Sequence, residues 1–63
     1  MRTREEAYGD AVYDAWRCGG NPDEVDYDRI DDNYYSGGAD TWEDAASIEA
    51  ARVCRRATPE EEE

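Results

Sequence analysis

The sequence predicts an all-α or mostly α fold, a small three-helix domain followed by a disordered acidic tail. Three observations lead to this prediction. The chain has 63 residues, which suffices for one small domain at most. Two long stretches place their apolar residues on one side of a helix and carry helix start and stop signals. The last four residues are glutamates that follow a proline, a pattern typical of a solvated tail.

The first helix is predicted over residues 3–17. Thr3 and Glu6 have the spacing of a capping box, and Cys18-Gly19-Gly20 supplies a glycine stop. The apolar residues recur in doublets four apart and fall within one half of a helical wheel. They are Ala7, Tyr8, Ala11, Val12, Ala15 and Trp16.

The middle of the chain supports two interpretations. Residues 21–24, Asn-Pro-Asp-Glu, have the form of a helix start. Over residues 25–34 the apolar residues are spaced three and four apart, as on a helix, although the first four residues alternate as in a strand. We favour a short helix from Pro22 to Asn33, followed by a turn over residues 34–38, and keep the strand as the alternative.

The third helix begins at a second capping box and runs to about Arg56. Either Asp40 with Glu43 or Thr41 with Asp44 forms that box. Acids lie in the first turn and arginines in the last, as the helix macrodipole favours. One face of the helix is apolar, and its residues are Trp42, Ala46, Ala50, Val53, Cys54 and Ala57.

These boundaries define one helical domain over residues 1–58 and an acidic disordered tail over residues 59–63. The domain has few large side chains for its core, because the chain contains no Leu and no Phe. Trp16, Trp42 and some of the tyrosines must supply most of any core, with Tyr27 or Tyr34 buried beside Ile30. High charge and low hydropathy also fit a disordered chain, but the aromatics and the helix signals favour a fold.

Metal, cofactor and catalytic chemistry are not expected. The chain has no His, and its two Cys are too few for a Cys/His zinc set. The acids of residues 26–32 lack the spacing of an EF-hand loop. No general base is identifiable for a nucleophile, and a chain this short can hardly wall off a pocket that separates two carboxyl pKa values. The protein is therefore predicted not to be an enzyme.

Cys18 and Cys54 lie on the apolar sides of the first and third helices, near their C-terminal ends. We favour free buried thiols, because cytosolic cysteines are normally kept reduced. A disulfide is the alternative, since alternate helices of a three-helix domain run roughly parallel and bring these two ends together.

The charge of the chain restricts its partners. Eighteen acids against seven arginines give a formal net charge of −11. Direct binding to nucleic acid or to an anionic membrane needs the opposite sign, and no apolar segment is long enough to span a membrane. A basic protein is the partner that this charge favours.

The acids form ladders with a four-residue spacing. Glu6, Asp10 and Asp14 make one ladder, and such like-charge pairs destabilise a helix. A second ladder arises if the middle segment is helical. The spacing of about 6 Å along a helix is of the same order as that between phosphates on a nucleic-acid strand. Two interpretations stand at equal weight, a contact surface and an ordinary solvated face. The candidate partner-binding residues are Glu6, Asp10, Asp14, Glu24, Asp28, Asp31, Asp32 and Tyr35.

Four features of the chain occur together: its short length, its negative charge, its lack of His and Lys, and the ladders Glu6-Asp10-Asp14 and Glu24-Asp28-Asp32. In these features the chain resembles the small acidic phage-encoded inhibitors of host nucleic-acid machinery, the anti-CRISPR and DNA-mimic proteins. The resemblance is one of composition and rests on no family motif. It implies an inhibitor that blocks the nucleic-acid-binding surface of a basic host protein, such as a CRISPR effector or another defence nuclease, in the cytoplasm of a bacterial host.

Two other functions remain open. An antitoxin or regulatory subunit that neutralises a basic partner would use similar electrostatics. A small helical assembly protein would complete its Trp16 and Trp42 faces by forming a homodimer. A concentration-independent monomer in sedimentation would argue against the dimer.

Overall fold

A computed structural model describes residues 1–57 of the chain, and the predicted tail over residues 59–63 lies outside them. Three α-helices make up most of the described part: α1 (Arg4–Arg17), α2 (Tyr27–Tyr35) and α3 (Trp42–Ala57). A single 3₁₀ turn, Pro22–Glu24, precedes α2. The predicted three-helix, all-α fold is confirmed.

The start of α1 follows the predicted capping box. The Thr3 hydroxyl accepts a hydrogen bond from the Glu6 N–H, and the Glu6 carboxylate accepts one from the Thr3 N–H at 3.0 Å. The chain leaves the helix at Gly19, whose φ of +88° is a left-handed conformation that favours glycine. Both ends of α1 are therefore fixed by local sequence.

The single helix predicted from Pro22 to Asn33 is wrong. The chain makes one 3₁₀ turn and then becomes extended at Val25 and Asp26. Asp26 caps a new helix, because its side chain accepts the Asp28 N–H at 2.9 Å. This helix, α2, continues through Tyr35, so the predicted turn begins only at Ser36.

The capping choice left open for α3 is decided in favour of Thr41. Its hydroxyl accepts a hydrogen bond from the Asp44 N–H at 3.0 Å. The Thr41 carbonyl accepts from the Ala45 N–H, which closes the first turn. The helix then runs to Ala57, one residue beyond the predicted end.

The three helices alternate in direction. Arg4 at the start of α1 lies over the ring of Trp42 at the start of α3, and Cys18 and Cys54 join the other ends. Helices α1 and α3 are therefore parallel. Helix α2 runs antiparallel to both, because its last turn stacks Tyr34 on Trp42 while Asp26 at its start contacts Glu49 near the middle of α3.

The core is built mainly from alanine. Ala7, Ala11 and Ala15 of α1 are fully buried and form one ridge, which lets α1 approach α3 closely. Ile30 and Val53 are the largest apolar side chains that are fully buried. The remaining buried apolar residues are Ala39, Ala45, Ala46 and Ala50. The core is thus smaller in side-chain volume than the sequence suggests.

The aromatic residues surround this core rather than fill it. Tyr34 and Trp42 are half-buried and stacked, with their ring centroids 4.1 Å apart. Tyr27 is exposed but stacks on Tyr8 at 4.3 Å. The prediction that Trp16 belongs to the core is wrong, since its side chain is 63% exposed. In each apolar doublet of α1 the alanine comes first, and it is this alanine that faces α3, whereas the residue after it lies further from the core.

Cys18 and Cys54 form a disulfide, with their Cα atoms 5.9 Å apart. The favoured prediction of free thiols is therefore wrong, and the alternative is correct. The parallel course of α1 and α3 places both cysteines at the same end of the helix pair. The bond closes a loop with a sequence separation of 36 residues.

Candidate protein-binding surface

An acidic groove lies between α1 and the first two turns of α3. It is open to solvent and has a volume of about 350 Å³. Four carboxylates and one guanidinium line it together with two small side chains. The lining residues are Arg2, Asp10, Asp14, Glu43, Asp44, Ala46 and Ser47. Asp10 and Asp14 lie one turn apart on α1, and Glu43 and Asp44 lie together in the first turn of α3.

Helix α2 covers the opposite side of the α1–α3 pair. Its Asp31 bonds to Arg4 and Tyr8 of α1, and its Asn33 side chain donates to the Ala45 carbonyl of α3 at 3.2 Å. All lining residues of the acidic groove come from the N-terminal segment, α1 and α3. Acids on α2 therefore belong to a different surface.

The first predicted ladder contributes two members to the acidic groove. Asp10 and Asp14 line it, whereas the carboxylate of Glu6 belongs to the cap of α1. Asp10 is held by Arg2, whose Nε and Nη2 donate to the two carboxylate oxygens at 2.8 and 2.7 Å. Asp14 is exposed, and among the described residues no cation forms an ion pair with its side chain.

The second predicted ladder is not continuous. Glu24 lies in the 3₁₀ turn outside α2, and its carboxylate pairs with Arg56 at 3.2 Å. Asp28 and Asp32 are exposed on α2, one turn apart. Tyr35 is 71% exposed and its ring is nearly perpendicular to that of Trp42, with the centroids 5.6 Å apart. None of these residues lines the acidic groove.

Asp31, the remaining candidate, belongs to a hydrogen-bond network that ties α2 to α1. Its two oxygens accept bonds from Arg4 Nε at 3.1 Å and Nη2 at 2.6 Å and from the Tyr8 hydroxyl. Arg4 also donates to the Tyr8 hydroxyl at 2.7 Å. Burial and the Asp31 carboxylate raise the pKa of Tyr8. This arrangement gives Asp31 a structural role, so it is less free to meet a partner than Asp14.

Protonation of the Asp31 carboxylate in acid is expected to destabilise the folded protein. The hydrogen bonds from Arg4 and Tyr8 lower the pKa of Asp31 below its ordinary value of 3.8. A carboxyl group with a depressed pKa stabilises the fold above the unfolded-state pKa, and this stabilisation is lost as the pH falls through the folded-state pKa. As the pH is lowered past about 4, the thermal unfolding midpoint of the wild type should decrease. The decrease should be smaller in Asp31→Asn, which has no carboxyl group to protonate at this position. Asp32→Asn is the control and should keep the wild-type profile; an unchanged profile in Asp31→Asn would contradict this role.

The sequence did not single out Glu43 and Asp44 as site residues. Both lie in the first turn of α3, where their charge is explained by the helix macrodipole. Their position beside Asp10 and Asp14 depends on the parallel packing of α1 and α3, which no local pattern encodes. The local signal that exists is a concentration of acids in one helical turn without a basic residue nearby.

Glu49 is a third residue that sequence reasoning missed. It is 1% exposed and accepts hydrogen bonds from the Asp26 N–H at 2.8 Å and from Arg52 Nε and Nη2 at 2.8 and 2.6 Å. The same guanidinium donates to the Glu24 carbonyl at 3.0 Å. This cluster fixes the segment before α2 onto α3, and the buried Glu49 carboxylate is not accessible to a partner.

The described residues contain no group of three or more His, Cys, Asp or Glu side chains arranged to hold a metal ion. Within residues 1–57, no helix has both the length and the apolar character needed to cross a membrane. Comparison with protein-family models, with curated proteins and with solved structures gave no match to this chain. Its function must therefore be argued from the surface itself.

Proposed function

We propose that this protein is an acidic inhibitor that binds a basic host protein and blocks its nucleic-acid-binding surface. The observation that supports this most strongly is the acidic groove, in which four carboxylates from two helices face solvent beside a single arginine. Asp10 and Asp14 are like charges four residues apart on α1, a spacing that destabilises a helix, so a partner explains this pair better than the fold does. The protein acts by binding and not by catalysis.

The mechanism is electrostatic and steric. Along α1, Asp10 and Asp14 are about 6 Å apart, a spacing of the same order as that of phosphates on a nucleic-acid strand. Glu43 and Asp44, in the first turn of α3, add two more carboxylates to the acidic groove. Arginines and lysines of the partner would meet these carboxylates, which speeds association and makes it sensitive to salt. The Arg2–Asp10 pair is exposed and can exchange for a pair with the partner, since such pairs contribute little to folding.

We place this activity in the cytoplasm of a bacterial host, where nucleic-acid-binding defence proteins such as CRISPR effectors act. The cytoplasm keeps thiols reduced. The proposal therefore requires that the chain bind its partner when Cys18 and Cys54 are reduced, and binding should be measured in both redox states.

The test compares two variants with equal charge. One removes three acids from the acidic groove, Asp14→Asn, Glu43→Gln and Asp44→Asn; the other removes three acids outside it, Asp23→Asn, Asp28→Asn and Asp32→Asn. Each loses three negative charges from the same net charge of −11. The tagged proteins are used to capture partners from host lysate, which are eluted first with a salt gradient and, in parallel, with duplex DNA, and identified by mass spectrometry.

We expect the wild type to capture a basic nucleic-acid-binding protein that both salt and duplex DNA release. The groove variant should lose most of this capture, by about tenfold or more, whereas the matched variant should keep it. Equal capture by the two variants would show that only net charge matters and would exclude the acidic groove as the site. A partner that salt releases but DNA does not would favour the antitoxin or regulatory function.

A further inference from the structure

Helix α1 exposes two aromatic side chains on the side that faces away from the core. Tyr13 is 56% and Trp16 63% exposed, and their ring centroids lie 5.9 Å apart. The core meanwhile relies on alanine, with Ile30 and Val53 as its largest fully buried apolar side chains. A chain with so few large apolar residues gains nothing for its fold by leaving these two outside. Exposed aromatics of this kind are frequent at the centre of protein interfaces.

Gly9 lies on the same side of α1, four residues before Tyr13 and seven before Trp16. A Cβ added at Gly9 would meet no atom within 4 Å, so the fold does not require a glycine there. Glycine is also less favourable than alanine inside a helix. What a glycine does offer is close approach of another backbone, because it leaves a dip in the helix surface. Gly9, Tyr13 and Trp16 are called the outer face of α1.

The charges around the outer face indicate which partner fits. Glu5 and Glu6 lie one turn before Gly9, and Asp10 and Asp14 separate the outer face from the core and line the acidic groove. Arg17 lies over the Tyr13 ring at 5.8 Å, which shows that this ring accepts a guanidinium. A second copy of the chain would bring a net charge of −11 and the same acids to this face, so charge disfavours self-association.

We propose that the outer face of α1 docks a basic amphipathic helix of the partner protein. The partner's apolar stripe would pack on Tyr13 and Trp16 across the dip at Gly9, and its arginines or lysines would meet the acids along the edge. This inference rests on the proposed function and identifies the kind of segment recognised. It differs from that function in one respect, because it requires apolar contact in addition to charge.

The test uses two synthetic helical peptides with the same number of arginines. One carries leucines along a single face, and the other has serine at each leucine position. Binding of the intact protein to each peptide is measured by isothermal titration calorimetry at physiological salt. We expect the leucine peptide to bind about 30-fold more tightly than the serine peptide, the contribution of one interface hot spot.

Two variants of the outer face separate binding from folding. Trp16→Ala should remove most of the 30-fold preference for the leucine peptide. Gly9→Ala should raise the thermal unfolding midpoint by about 5 °C, because alanine favours a helix, and still weaken binding of the leucine peptide by about tenfold, because the added methyl group fills the dip. Ile48→Ala is the control, an exposed apolar residue on α3, and should leave both peptides unaffected.

The outcomes distinguish the two proposals. Equal, salt-sensitive binding of both peptides would overturn docking on the outer face and leave the proposed function in place. If neither peptide binds even at low salt, the proposed function fails as well. A Gly9→Ala variant that is stabilised and binds like the wild type would overturn the role of Gly9, and a dimer in sedimentation that Trp16→Ala abolishes would assign the face to a second copy.

Discussion

Reduction of the Cys18–Cys54 disulfide should lower the free energy of unfolding by about 4 kcal/mol, the chain-entropy contribution of a loop of this size. A domain of this length has a total stability of only a few kcal/mol, since it buries little apolar surface. The reduced chain should therefore be largely unfolded or close to it. Urea unfolding followed by far-ultraviolet circular dichroism, with and without a reducing agent, measures the change.

The double variant Cys18→Ser/Cys54→Ser is the control for this experiment. It should be as unstable as the reduced wild type and should not respond to the reducing agent. Equal unfolding midpoints for oxidised and reduced wild type would contradict the prediction and show that helix packing alone stabilises the domain.

This result bears directly on where the protein works. In a reducing cytoplasm, the chain would fold only as far as its partner stabilises it, because a ligand that binds the folded state shifts the folding equilibrium. Partner affinity measured under reducing conditions should then be weaker than under oxidising conditions by the cost of folding. A partner-dependent gain of helix signal in the reduced protein would reveal this coupling.

The elements that sequence predicts well are those whose signals are local. The Thr3–Glu6 capping box and the glycine stop fix the ends of α1 through contacts three or four residues apart. The same holds for the start of α3 at Thr41. Such signals can be read from a few neighbouring residues, so the number and order of the helices and the approximate bounds of α1 and α3 follow from the sequence.

The features that sequence misses depend on contacts between elements. The chain leaves the helical conformation just before α2, at Asp26. There the Asp26 side chain caps α2, and the Asp26 N–H donates to Glu49, which is 23 residues away. The position of Trp16 depends on which residue of each apolar doublet faces α3. The grouping of Glu43 with Asp14 follows from the parallel packing of their helices. Half of the acidic groove was therefore found as the α1 ladder, and the other half could be found only in three dimensions.

Replacement of Glu49 by alanine should destabilise the fold by about 3 kcal/mol, the lower part of the range for breaking a buried ion pair, because its partner Arg52 is partly exposed. Three hydrogen bonds converge on this carboxylate: two come from Arg52 and one from the Asp26 N–H. Alanine leaves the Asp26 N–H without its acceptor at the start of α2 and opens space beneath that segment. A buried donor that loses its partner bears the full cost of its desolvation.

Three further variants decide whether the loss comes from this cluster. Glu43→Gln removes an equal charge at an exposed position of the same helix, and its unfolding free energy should change by less than about 0.5 kcal/mol. Arg52→Ala, combined with Glu49→Ala, should cost less than the sum of the two single changes, since each single change already breaks the shared pair. Additive effects in chemical unfolding would mean that the two side chains stabilise the protein independently. Non-additive effects would show that Glu49 and Arg52 stabilise the protein as one unit, and it is this unit that contacts Glu24 and Asp26 in the segment before α2.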